Sequence, residues 1–261
     1  MLRPCLSDGG FRLEPLANGW LVGRFGVLDE LGVRHLVTTR QGPDVHAVRH
    51  DTDSVGRQIA RVLDLRQMAF LEQVHGSHVL VSDGAGQVGQ ADGLCTTRAG
   101  SGLMGKSADC PIVLVAHKRW RAVAFAHASW RATVAGVVPN VLGKMIGLGC
   151  RPEDLVACVC PSAGPECYEV GPEVRQAALD GIGPHAEAFF RPGPVKQHFD
   201  LWAANVDALL RGGLQPEDIH VAGVCTLCRN DLFPSHRREG PDAGRFVAAI
   251  GLAAYGRSPT R

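Results

Sequence analysis

His75 in LEQVHG, Cys110 in KSADCP and His127 in AFAHASWR are two imidazoles and one thiol, the donor set of an open, catalytic zinc site. They lie 35 and 17 positions apart (75 to 110, then 110 to 127), so no local loop holds them as in a zinc finger. A folded scaffold must bring them together, which points to an enzyme site. Three protein donors leave a fourth position for water or substrate, and the ion would then activate water for hydrolysis or stabilise charge in group transfer. Asp109, directly before Cys110, is available to orient an imidazole through its second nitrogen.

The same residues admit other chemistry. Without a metal, Cys110 and His127 would form a nucleophile and base pair, with the thiolate as the active species. As a non-enzymatic zinc site, the three would serve structure or sensing. Elsewhere, His185-Ala186-Glu187 and Cys225-x-x-Cys228 match the outline of a base-deaminase signature, but Val224 replaces the proline expected before the cysteine pair. Multicopper oxidation needs many closely spaced histidines, and the eleven here include no His-x-His pair, so copper is less favoured than zinc.

The elements that must position these residues follow from apolar periodicity. Strands are expected at residues 20–25 and 35–39, with a turn at Gly32 and Arg40 at the second strand's end. A helix is expected over 53–65, capped by Asp51 or Asp53, and the apolar run 68–74 leads to His75. Residues 111–116 and 122–126 read as a hairpin. If it is antiparallel, Cys110 just before the first strand and His127 just after the second become neighbours. From Ser129, a plausible N-cap, a helical stripe runs to Met145 and should kink or split at Pro139. Its N-terminus beside His127 would favour anions. Further helices fit 172–180 and 201–210, the latter capped by Asp200, and strands fit 155–160 and 219–225. The segments RPEDLVACVC and QPEDIHVAGVC echo each other, a reused connection and not a repeat architecture. The expectation is an α/β fold: a single domain over 1–261, with mixed β-sheet layers flanked by helices in an α-β-β-α sandwich.

Composition narrows the function. A hydrophobic content of 45% in 261 residues supports a substantial core, and a net charge of +1 without long charged blocks argues against nucleic acid as a partner. No run approaches the roughly 18 apolar residues of a membrane span. Nine cysteines, an odd number, with no apolar leader suggest reduced thiols and a cytoplasmic location.

QVHG at 73–76, SADCP at 107–111 and AHASWR at 126–131 resemble the three signature stretches of the laccase-domain family, earlier labelled multi-copper polyphenol oxidoreductases. The similarity continues through VTTRQG (37–42), ADGLCTT (91–97), GPECYEVG (164–171), DLWAAN (200–205), CT (225–226) and HRREGPDAGR (236–245), nearly the whole chain in order. The resemblance implies that His75, Cys110 and His127 bind zinc. It further implies a purine nucleoside phosphorylase acting on adenosine, inosine or methylthioadenosine with phosphate, with adenosine deaminase activity at the same site. Bacterial members also resemble a peptidoglycan editing factor that would act on a cell-wall precursor. Among basic and amide side chains near the signatures, Arg40 is the expected phosphate or carboxylate contact, with Arg131 also basic there and Gln73 suited to a base edge. Two departures stand out. Ser129 and Ala132 replace glycines of the usual HAGWRG, which would reshape the loop and disturb phosphate binding if either position needs positive φ. His236 replaces a usual tyrosine.

Overall fold

The computed structural model describes residues 10–119 and 121–254. Two large sheets form its centre. The first has seven strands in the order Phe11–Pro15, Leu21–Phe25, Arg34–Thr38, Phe246–Gly251, Ser101–Ser107, Gln67–Glu72 and Gly86–Gln90. The second has six, in the order Ile219–Val221, Leu155–Val159, Ile112–His117, Val123–His127, Gly93–Thr96 and Val79–Val81. Both mix parallel and antiparallel pairs.

Strand alternation explains the layering. In Phe246–Gly251, the side chains of Phe246, Ala248 and Ile250 join those of Leu114, Ala116 and Phe125 in the core between the sheets. Val247 and Ala249 point the other way, onto Val55 and Ile59 of the helix Thr52–Val62. Val113 and Val115 likewise face outward, against the helices Val137–Gly147 and Leu201–Arg211. Each sheet is thus apolar on both faces, as a strand buried between layers requires, and the fold is an α-β-β-α sandwich. Among the described residues no helix is long and apolar enough to cross a membrane.

The helix caps follow the residue chemistry: Asp51 accepts from the Ser54 N–H and Asp200 from the Ala203 N–H. The echoed Pro-Glu-Asp segments form matching single turns that feed the strands Leu155–Val159 and Ile219–Val221, which lie parallel and adjacent. Two expectations need correction. Between the first predicted strands the chain forms a short helix, Gly26–Glu30, before Gly32 turns with φ 67°. The stripe after Ser129 divides at Gly136 (φ 82°), not at Pro139. Pro139 sits in the first turn of the second helix, where its missing N–H costs no helical hydrogen bond.

The chain passes from the seven-stranded to the six-stranded sheet at three successive places: between Glu72 and Val79, between Gln90 and Gly93, and between Ser107 and Ile112. His75, Asp92 and Cys110 occupy these three crossings.

Candidate metal centre

The hairpin Ile112–His117/Val123–His127 is antiparallel, and its register pairs His127 with Ile112, so Cys110 and His127 meet at one end of it. His75 arrives from the neighbouring crossing, and its ring centroid lies 5.1 Å from that of His127. One ligand atom from each of His75, Cys110 and His127 falls within 4.8 Å of the others. His75 is exposed, Cys110 intermediate and His127 buried, so the group opens to solvent on one side.

Asp92 organises this group from beneath. Its buried carboxylate takes a 2.8 Å hydrogen bond from His127 Nδ1 through Oδ1, while Oδ2 accepts from the N–H groups of Gly76 at 2.7 Å and Val74 at 3.2 Å. One side chain therefore fixes the His127 ring and the loop bearing His75, whose backbone holds the uncommon φ of 62°. Strained backbone of this kind, when the surroundings enforce it, is characteristic of functional sites. Burial alone would depress the His127 pKa, but the hydrogen bonds and charges of Asp92 and Cys110 outweigh it and lift it to about 9. His75 is shifted downward, by desolvation first and by the charge of His127 second. A neutral imidazole is the form that can ligate a cation.

Asp109, expected to orient an imidazole, does something else. It lies at φ 91° and anchors the loop: Oδ1 accepts from the Thr226 hydroxyl at 2.6 Å and Oδ2 from the Arg237 N–H at 2.7 Å. The Ser107 hydroxyl donates to the Cys110 carbonyl at 2.6 Å, completing the brace.

The three candidate ligands open onto a cleft of about 380 Å³ that Arg49, Lys106, Arg245, Glu72, Gln73 and His236 also line. Its wall is cationic, with three basic side chains against one carboxylate. Of the residues expected to meet substrate, Gln73 is present, but both ends of its amide are bonded to the Lys106 backbone at 2.8 Å. Arg40 does not line the cleft; its guanidinium is paired with Glu239 and donates to the Asn230 carbonyl. Arg131 is exposed, 4.3 Å from the Trp130 ring, and also stays outside the lining. The cleft's own cations carry little local signal: Arg49 falls in none of the signature stretches, and Arg245 is only the last residue of HRREGPDAGR.

The altered signature loop is unstrained. Ser129 has φ −54° and accepts from the Ala132 N–H, capping the short helix Trp130–Val134, and Ala132 is buried inside it. Neither position needs a glycine. The helix N-terminus is satisfied by its own cap, so the anion-attracting charge near His127 resides in Arg49, Lys106 and Arg245. The outline of a deaminase site also dissolves: His185 Nε2 pairs with Asp207 at 3.2 Å, and the sulfurs of Cys225 and Cys228 meet Cys167 instead.

A Bacteroides thetaiotaomicron protein named purine nucleoside phosphorylase is 37% identical over 161 residues, 61% of this chain and 60% of its own length. The Geobacillus stearothermophilus protein named purine nucleoside phosphorylase YlmD is 32% identical over 267 residues, spanning 90% of this chain and 95% of its own. The crystal structure of YlmD from that organism superposes with a TM-score of 0.81 at 28% identity, covering 92% of this chain and 98% of the other. Residues 36–253 match the family described as multi-copper polyphenol oxidoreductase laccase. With that match taking in the whole six-stranded sheet and every residue of the cleft, the chain belongs to this family.

Proposed function

We propose that the protein is a zinc-dependent purine nucleoside phosphorylase, taking adenosine, inosine or methylthioadenosine with phosphate, and that it also deaminates adenosine at the same site. The observation that carries this reading is the meeting of His75, Cys110 and His127 with a cationic wall in one cleft. Two imidazoles and a thiolate suit zinc, whose donors in tetrahedral coordination lie about 3.3–3.8 Å apart; the three ligand atoms, already within 4.8 Å, are close to that spacing. The family's descriptive label points to copper oxidation, but the donor set argues otherwise. Among the described residues the two three-membered ligand groups are His75–Cys110–His127 and Cys167–Cys225–Cys228, and neither is a histidine-rich trinuclear cluster.

In this reading His75, Cys110 and His127 hold the ion, which when bound supplies Lewis-acid stabilisation of developing negative charge. Asp92 holds a proton on His127 Nδ1, so the proton that gives way to the ion on ligation is the one on Nε2. Arg49, Lys106 and Arg245 bind and orient the phosphate dianion for attack at the ribose C1′ as the bond to the purine breaks. Glu72 is placed to accept a hydrogen bond from a sugar hydroxyl or purine amino group.

A second reading rests on one further observation. Asp92, His127 and Cys110 lie in a hydrogen-bonded series, the arrangement of a metal-free thiol nucleophile with an oriented base. His75 has no role in that chemistry. Purified protein incubated with adenosine, with and without phosphate, is therefore assayed by chromatography of adenine, inosine and ribose 1-phosphate, before and after chelation. Phosphate-dependent base release that chelation abolishes, zinc restores and His75→Ala eliminates is expected. Turnover that survives both chelation and His75→Ala would replace zinc with the thiol mechanism.

A further inference from the structure

A second thiol cluster lies outside the cleft lining. Cys225 and Cys228 share one turn, Cys225-Thr226-Leu227-Cys228, and Cys167 reaches it from the loop before Tyr168. The three sulfurs lie within 4.8 Å of one another, with Cys167 and Cys228 at 3.4 Å. The turn has the C-x-x-C spacing of structural zinc sites. Its first sulfur receives backbone N–H groups from Leu227 and Cys228 within the turn and from Gly164 at 3.2 Å. Gly164 is fitted to this contact: a Cβ there would stand 2.9 Å from Cys225 Cβ and 3.2 Å from its sulfur. Three backbone donors converging on a single sulfur neutralise negative charge, which a packed neutral thiol does not require.

We infer that Cys167, Cys225 and Cys228 form a second metal site that holds zinc through three thiolates, with its fourth position open to solvent. Sulfurs around a tetrahedral zinc lie about 3.8 Å apart, close to the spacing present. Cys228 is exposed, and no fourth donor among the described residues joins the group, so water completes the coordination. Each thiol loses its proton to solvent as its sulfur binds, with no change of oxidation state. The ion ties the 161–168 loop to the 225–233 segment. These stretches already meet through the bridge between Ser162 and Cys225, and Thr226 in the second holds Asp109, the neighbour of Cys110. The site is thus a brace behind the cleft, separate in its ligands from the triad.

Metal content and cobalt substitution of the full chain, purified with reductant, test this. Wild-type protein is expected to hold about two zinc ions per chain, and both Cys228→Ser and Cys110→Ala about one. With cobalt, the sulfur-to-metal charge-transfer band is expected to keep about three-quarters of its intensity in Cys110→Ala, because three of four cobalt–sulfur bonds remain. It should fall to about one-quarter in Cys228→Ser. Cys228 is exposed, so its replacement leaves the metal-free melting temperature unchanged, and Cys167→Ser must repeat the metal loss. A wild-type protein with one equivalent that Cys110→Ala removes overturns the proposal. So does a Cys167–Cys228 disulfide, seen as a mass about two daltons lower despite reductant. Because the two variants report on separate ligands, failure here leaves the reading of the cleft intact, and the converse also holds.

Discussion

Replacing Asp92 with asparagine isolates what the carboxylate does for the metal centre. The substitution keeps volume and hydrogen-bonding reach, and Asp92 has no exposed surface, so the new amide must occupy the same pocket. Its oxygen can still accept from the Gly76 and Val74 N–H groups, preserving the loop that carries His75. Its NH2 group then faces His127 Nδ1, where the carboxylate accepted a proton at 2.8 Å. Two donors cannot face each other, so the ring adopts the tautomer with the proton on Nε2, the nitrogen required for ligation. Loss of such an orienting partner lowers metal affinity about 10–100-fold, or about 1.4–2.7 kcal/mol. Competition with a chromophoric chelator at neutral pH measures the zinc Kd directly, and melting of the metal-free variant shows whether the fold survives. A folded Asp92→Asn protein with wild-type zinc affinity would refute the assignment of His127 as a ligand oriented by Asp92.

Two other perturbations address the cleft wall and the core. Lys106 Nζ donates to the Thr52 hydroxyl at 3.2 Å and lies 5.8 Å from the centre of the Phe70 ring, so Lys106→Met removes a phosphate contact with little structural loss. Removing a charge-assisted hydrogen bond is worth about 1.5–3 kcal/mol, so kcat/KM for phosphate should fall about 10–150-fold with the nucleoside KM little changed; steady-state kinetics with each substrate varied checks this, and an unaltered phosphate dependence would remove Lys106 from the site. His35 is fully buried; its Nε2 accepts the Phe25 N–H, and its Nδ1 donates to the Val33 carbonyl. Burial, and secondly the charge of Arg24, lower its pKa from 6.5 to about 4. Because the unfolded chain takes up the proton first, stability is present above pH 6.5 and lost as pH falls toward 4, by about 3 kcal/mol. Thermal melts across that window should show the loss, and His35→Gln should flatten it; identical slopes in the two proteins would assign the acid sensitivity elsewhere.

The hairpin was legible because its two apolar runs and basic turn fix an antiparallel register, and that register alone joins Cys110 to His127. His75 is a candidate by residue type, but only the resemblance joins it to the other two, since its approach depends on a crossing between sheets that strand periodicity does not encode. Asp92 is hidden for the same reason: in ADGLCTT it resembles any turn aspartate, and its partners Val74, Gly76 and His127 lie in other segments. Arg40, a basic side chain at a strand end, reads as free in the sequence. Its partner Glu239 is distant in sequence and could not be foreseen from local pattern. Ser129 and Ala132 looked like damage because substituted glycines suggest strain, whereas the backbone there is ordinary and the serine supplies a cap.

The three successive crossings between the sheets give the centre a mechanical character. A ligand taken from each of two crossings and a third from the end of a six-stranded-sheet strand, with Asp92 at the remaining crossing, gauge how one layer sits over the other. A sliding motion of the layers, too small to disturb either sheet's own ladder, would alter the spacing of the donors directly. Thickening or thinning the packing between Phe125 and Phe246 should therefore register in ion retention sooner than in secondary structure. The interlayer core serves as the ruler against which the coordination distances are set.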